Sequence, residues 1–444
     1  MVTAAERAKR GRAARQRVGR REHGNWIPAT DRPDPVRVLL DQGADRVPEL
    51  LPIRHGRMAG SPFAFLRGAA AVLAADLAAL PNTGLEVQLC GDAHLLNFGV
   101  FASPERILLF DLNDFDETYP GPFEWDVKRL AASVAVAARD NGEPDGKAHA
   151  AARAAATAYR RAMRRLAGAG ELDVWYETVS ADQVLALLRG RRRERAARNL
   201  EHARRRTSLQ ALAKLTEERE GQPRIISDPP LLEPVPEDDF KAIGKVFSSY
   251  RSTLPEDRRH LLDRFQLADA ARKVVGVGSV GTRCYIALLS GRTLGEPLFL
   301  QIKEAQRSVL ETYLPGRSPA HQGHRVVAGQ RLLQAAGDIF LGWTTGPAGR
   351  HFYGRQLRDM KGSAEVDRMT ARGLRDYAAL CGHTLARAHA RSGDRVAIAA
   401  YLGGSEAFDE AIADFALRYA EQTVIDHREL TAAIAAGTVA AESV

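Results

Sequence analysis

Asp92, Asn97, Asp111 and Asp114 fall in order along a short stretch of this 444-residue chain. Asp92 directly follows Gly91 at the end of a predicted strand, Val87 to Leu89, where a carboxylate can point into a cleft as a base or orienting acid. Asn97 offers an amide oxygen, a suitable hard ligand for magnesium. Asp111 closes the apolar run Ile107 to Phe110, and a buried strand that stops on an aspartate fixes a metal ligand rigidly. Asp114, Asp116 and Glu117 add further acids, either to hold a second ion or as solvated loop charge. Phosphoryl transfer needs few parts beyond these: a lysine against the phosphates and a glycine-rich loop that lets backbone approach a nucleotide. The competing account is that Asp92 and Asp111 only cap turns after strands.

The missing parts occur later in the chain. Gly276, Gly278, Ser279 and Gly281 form a glycine-rich loop, and Lys303 ends the second strand after it. The triplet of glycines is weak alone. A dinucleotide fold would follow it with a helix, whereas Thr282 to Leu289 reads as a strand, which favours a phosphate-covering hairpin. Lys303 is otherwise a surface lysine at a strand end. Its acidic partner is Glu304 or Glu311; the next helix carries Ala328 where an acid would help. His94 orients the Gly91–Asn97 loop rather than ligating a metal, since no second histidine is near. His383 and His389 are six apart and do not share a helix face.

The elements that must position these groups are legible from periodicity and punctuation. Ser61 and Pro62 start a helix over 61–80, ended at Pro81-Asn82-Thr83-Gly84. Alanine-rich helices cover 126–139 and 146–168, and a charged helix covers 181–220. Five prolines in 221–238 mark a linker, and a helix follows over 239–265. Residues 284–289 and 298–302 read as a hairpin. A helix over 322–336, strands over 340–344 and 351–357, and helices from about 370 to 439 complete the chain.

A hydrophobic content of 45% and a charged content of 27% are ordinary for a globular protein. No apolar run is long enough to span a membrane, and the N-terminus lacks the apolar segment of a secretory signal. Three widely separated cysteines, Cys90, Cys284 and Cys381, suit a reducing cytoplasm. The net charge of +8 is concentrated in residues 1–22 and 189–206. A disordered tail and a solvated helix account for both runs. An anionic partner such as RNA is the alternative, and the absence of interleaved aromatics argues against base stacking there.

With these residues in view, Gly91–Asn97 and Phe110–Asp114 resemble the catalytic and metal loops of aminoglycoside phosphotransferase and choline kinase relatives. Those relatives carry a histidine before Gly-Asp, where Cys90 stands here. Asp126, in Trp125–Ala131, is similar to their structural aspartate. Tyr377–Ala390 resembles the helix that in those enzymes directly precedes the catalytic loop, yet here it lies near the C-terminus. Over roughly 50–430 the chain resembles the bacterial domain-of-unknown-function family 2252, through Arg57–Phe65, the Gly91 motif with Phe98-Gly99, Asn113–Glu117 and Arg355–Lys361.

These resemblances imply an α/β (α+β) protein-kinase-like fold of two lobes, circularly permuted because the glycine loop follows the catalytic loop. The expected layout is a basic, partly disordered tail over 1–54 and the first part of a helical lobe over 55–265. A β-rich nucleotide lobe over 266–360 and closing helices over 361–444 follow. Arg355–Lys361 would be the hinge. ATP and Mg²⁺ are the implied cofactors, with Asp92 as base, Asn97, Asp111 and Asp114 on the metal, and Gly276, Gly278, Ser279, Gly281 and Lys303 on the nucleotide. The implied activity is phosphotransfer to a small hydroxylated or amine-bearing acceptor. A catalytically inactive nucleotide-binding regulator and a metal-dependent phosphohydrolase are the alternatives.

Overall fold

The computed structural model describes residues 2–292, 295–316, 318–357 and 360–442. The chain is a mixed helix-and-sheet protein. Its strands are β1 (Glu86–Leu89), β2 (Phe98–Ala102), β3 (Leu108–Leu112), β4 (Tyr119–Pro122), β5 (Thr216–Arg219), β6 (Gln222–Ile225), β7 (Leu232–Pro234), β8 (Gln266–Lys273), β9 (Cys284–Ser290), β10 (Pro297–Glu304), β11 (Gly342–Thr345), β12 (His351–Gln356) and β13 (Gly362–Ser363). The largest sheet is antiparallel, in the order β11-β12-β10-β9-β8-β7.

Side chains alternate across this sheet as a pleated strand requires. Leu298, Leu300 and Ile302 of β10 pack with Tyr250, Leu254 and Leu262 on one face. Phe299 packs with Ala211, Leu215 and Ile225 on the other. The sheet therefore recruits the helices Ser208–Leu215, Glu237–Ser252 and Glu256–Leu262 as its cover. This corrects the expected boundary at 265, because those helices belong with the sheet rather than with the helical core. The proline-rich linker also contributes strand pairs, β5–β6 and β7–β8. The expected helix over 181–220 breaks into three, Ala181–Leu187, Gly190–Arg205 and Ser208–Leu215. The helix over 61–80 breaks at Ala69.

The main core joins β1–β3 to the long helices Glu124–Asp140, Asp145–Leu166, Ala371–Ser392 and Ala407–Ala435. Two joints organise it. Ser392 Oγ, at the end of one helix, accepts a hydrogen bond from Gln88 N of β1 at 3.1 Å, although 304 residues separate them. The basic N-terminal segment is also docked, against the expectation of a disordered tail. A Cβ at Gly11 would lie 1.9 Å from Ala397 O, so the helix Ala4–Ala13 lies directly on Arg395–Leu402. Arg15 Nε and Arg20 NH1 donate to the carbonyls of Tyr401 and Leu402, at 2.9 and 2.8 Å. Arg32 bridges the buried acids Asp76 and Asp426. Several of the tail's arginines are thus structural cations. No described helix is long and apolar enough to cross a membrane.

Candidate active site

The loop after β1 is fixed from beneath. Asp126, in the first turn of the helix Glu124–Asp140, accepts the backbone N–H groups of Cys90 and Gly91 at 2.7 and 3.0 Å. His389 Nε2 lies 3.1 Å from the same carboxylate, and Tyr159 OH lies 2.9 Å from His389 Nδ1. Gly91 adopts φ +85°, and a Cβ there would lie 2.1 Å from Glu117 O, so only glycine fits this turn. Cys90 holds the loop in its own way: its thiol donates to Asp114 O at 3.4 Å and accepts from Asn97 Nδ2 at 3.2 Å.

Asp92 emerges from this platform into the cleft. Its Oδ1 accepts from Arg129 Nε at 2.8 Å and is ion-paired with Arg129 NH2 at 2.7 Å. His94 Nε2 lies 3.6 Å from Asp92 Oδ2. Burial pushes the His94 imidazole down to about 4, so it is neutral at pH 7. Its Nδ1 has no hydrogen-bond partner.

Two of the expected metal ligands do other work. Asn97 Oδ1 accepts from Asp114 N and Asn113 N, at 2.7 and 3.2 Å, while Nδ2 donates to Asp92 O and Asp114 O, at 2.9 and 3.0 Å. Its amide braces the Asp92 loop against the Asp114 loop, and both oxygen lone pairs are engaged. Asp111 lies inside β3, which continues through Leu112, rather than at a strand end facing the cleft. Its carboxylate is 1% exposed and is bound by Arg387, by Leu112 N and by Ala335 N. Asp111 is therefore an anchor for the helix Ala371–Ser392, not a free ligand.

Asp114, also expected on the metal, and Asp116 line the cavity, whereas Asp111 does not. Lys303, on β10 opposite Tyr353 of β12, is 2% exposed. Its Nζ lies 3.3 Å from Asp114 Oδ2 and also contacts Asp116 Oδ2. Tyr353 OH donates to Asp116 Oδ1 at 2.7 Å. Burial raises the Asp114 carboxyl, but Lys303 and Arg355 outweigh it and hold the group at about 2. Burial, together with the charge of Asp114, moves Asp116 the other way. Neither expected partner reaches the lysine. Glu304 pairs with Arg283 and Arg350, and Glu311 lies against Arg307 and Arg325.

The glycine-rich loop joins β8 to β9, as expected, and Gly276, Gly278 and Ser279 line the same cavity as Asp92, Asn97, Asp114 and Asp116. The cavity measures about 280 Å³. Gly276 and Gly281 adopt φ of +69° and +88°. A signal absent from the sequence reading is what holds the loop down. Arg46 NH1 donates to Gly278 O at 2.7 Å and also to Val280 O, Arg57 NH1 donates to Gly276 O at 2.7 Å, and Val47 N donates to Gly281 O at 2.8 Å. Arg355 NH1 donates to Asn113 O at 2.7 Å, tying the expected hinge stretch to the loop after β3. Arg358 and Asp359 of that stretch lie outside the described residues.

Among the described residues no three His, Cys, Asp or Glu side chains cage a metal ion on their own. Asp114 and Asp116 supply two carboxylates. That donor set fits magnesium, which is commonly held by one or two carboxylates together with substrate phosphates and water.

The family described as "Uncharacterized protein conserved in bacteria (DUF2252)" matches residues 46–433, and the chain belongs to that family. No curated protein and no solved structure matches the chain.

Proposed function

We propose that this member of the DUF2252 family is an ATP- and Mg²⁺-dependent phosphotransferase with a permuted protein-kinase-like arrangement. The observation that carries the reading is the pairing of buried Lys303 with Asp114 and Asp116, which line a cleft together with Asp92 and residues 276–279 of the glycine loop. An ammonium from one part of the chain stands directly behind an acid pair from another at the wall of one cavity, the set of charges that a metal–triphosphate requires. The contact between Gln88 and Ser392 supports the permutation. A C-terminal helix ends beside the strand that enters the Asp92 loop, where an unpermuted relative would run straight on.

In this reading Lys303 and the backbone of the glycine loop hold the phosphates, and Asp114 and Asp116 hold the magnesium, which neutralises phosphate charge when bound. Asp92, oriented by Arg129, takes the proton of the acceptor hydroxyl. The acceptor oxygen bonds to the γ-phosphorus, the bridging P–O bond breaks, and ADP leaves with that electron pair. Asn97 keeps the Asp92 and Asp114 loops in register.

The inactive nucleotide-binding regulator is the second reading, favoured by the engagement of Asn97 and Asp111 in purely structural bonds. Calorimetry with Mg²⁺ and the non-hydrolysable analogue AMP-PNP tests the nucleotide site. Lys303→Ala and Asp114→Ala should each weaken binding by about tenfold or more, and wild-type protein that binds no nucleotide would overturn both readings. ATP turnover abolished by Asp92→Asn separates enzyme from regulator.

A further inference from the structure

Charge in the cleft is not balanced around Asp92. Arg129 is committed to Asp92 and the backbone: Nε and NH2 reach Asp92 Oδ1, and NH2 also donates to Leu66 O at 2.7 Å, while NH1 is buried without a partner and lies outside the cavity lining. Arg46 is 5% exposed; its NH1 meets backbone carbonyls, which carry no net charge, and its Nε is buried without a partner. Arg67 also lines the cleft, in the last turn of the helix Pro62–Gly68. Among the described residues its guanidinium makes no hydrogen bond, and its Nε is buried without a partner. Asp92 supplies the opposing charge acting on Arg67, and Arg129 already holds Asp92. His94 is neutral and leaves Nδ1 unpartnered in the same lining.

A cation held partly out of water without a counter-charge is costly, and each orphaned buried polar atom calls for an explanation. Of the orphaned atoms around the cleft, Arg67 Nε and His94 Nδ1 are accounted for by one missing ligand. The nucleotide's phosphates already have Lys303 and the glycine loop, and Arg67 is coupled to Asp92 rather than to the Asp114–Asp116 pair. We propose that the acceptor is a small hydroxylated molecule carrying an oxyanion, a phosphate or a carboxylate, and that Arg67 receives that group while the hydroxyl faces Asp92. This rests on the phosphotransferase reading and sharpens it.

The test uses the full chain saturated with Mg²⁺ and AMP-PNP, titrated calorimetrically with inorganic phosphate. Wild type should bind phosphate at millimolar concentration, and Arg67→Ala should weaken that step about tenfold or more while leaving nucleotide affinity within about twofold. Arg67→Lys, which keeps the cation, should restore part of the phosphate affinity and guards against a folding artefact. Absence of phosphate binding in wild type overturns the proposal. So does an equal loss of AMP-PNP affinity in Arg67→Ala, which would make Arg67 a nucleotide contact. Should AMP-PNP itself fail to bind, the nucleotide reading falls. Phosphate titration of the nucleotide-free protein then still decides the anion site, since its loss in Arg67→Ala sustains the site and its retention overturns it.

Discussion

The Arg387 guanidinium holds both carboxylate oxygens of Asp111, at 2.6 and 2.7 Å, where neither side chain is more than 1% exposed. The pair ties the helix Ala371–Ser392 to β3 across 276 residues of sequence. Breaking one partner of a buried pair leaves an uncompensated charge and costs about 3–5 kcal/mol. Asp111→Ala and Arg387→Ala should therefore each lower the urea midpoint strongly. The folded protein should keep its Mg²⁺-dependent nucleotide affinity within about twofold. A normal midpoint with lost Mg²⁺ dependence would return Asp111 to the metal.

Lys303 is the main cation acting on Asp114. Burial alone would raise the Asp114 carboxyl; Lys303, with help from Arg355, holds it at about 2 instead of 3.8. A depressed folded-state value contributes stability above the unfolded value, and that stability is lost as pH falls toward 2. In Lys303→Met the carboxyl should rise, and the acid limb of the stability curve should move to higher pH. Carboxyl-carbon NMR titration of Asp114 reads this directly. An unmoved resonance would mean that the ion pair seen here does not persist in solution.

Glu117 lies in the cleft lining and accepts from Val309 N at 2.7 Å. Burial is the largest influence on it and raises its carboxyl from 4.5 to about 7. The folded protein thus binds this proton more tightly than the unfolded chain, so stability falls as pH rises from 4.5 to about 7. Neutral His94 acts in the opposite sense between 6.5 and about 4, so the comparison must be with a variant. Relative to Glu117→Gln, wild type should lose up to roughly 3 kcal/mol between pH 5 and pH 7.5. Parallel denaturation curves for the two proteins would remove Glu117 as the proton carrier.

The glycine loop is clamped rather than loose, because Arg46 and Arg57 grip the carbonyls of Gly276, Gly278 and Val280. Arg46→Ala should speed amide exchange across 276–281 by about tenfold or more, with the rest of the sheet unaffected. Gly281→Ala should act likewise. Its φ of +88° disfavours any Cβ, and the Arg46 side chain lies 3.1 Å from where one would be. Unchanged exchange in Arg46→Ala would show that the clamp adds nothing to loop order.

Much of the site was legible because it is encoded locally. Gly91 before Asp92 signals a turn, the apolar runs over 284–289 and 298–302 parted by a turn signal a hairpin, and the glycines between β8 and β9 signal close backbone approach. Asp111 misled because an aspartate after an apolar run looks the same whether it meets a metal or a buried arginine; Arg387 sits in another helix, near the other end of the chain. The lysine's partner misled for a related reason. Glu304 and Glu311 are its neighbours in sequence, but the buried Lys303 side chain meets Asp114 and Asp116 instead.

By itself, then, the sequence determined the elements and the groups capable of phosphate chemistry, since turn geometry, strand alternation and side-chain type act over a few residues. Tertiary structure decided which of those groups share a cavity. It assigned Asp111 to Arg387 and Lys303 to Asp114, docked the basic N-terminal segment on Tyr401 and Leu402, and left Arg67 without a hydrogen-bond partner among the described residues. Those outcomes depend on Coulombic and hydrogen-bond pairing between residues that only chain packing brings together, and no local pattern reports such pairing.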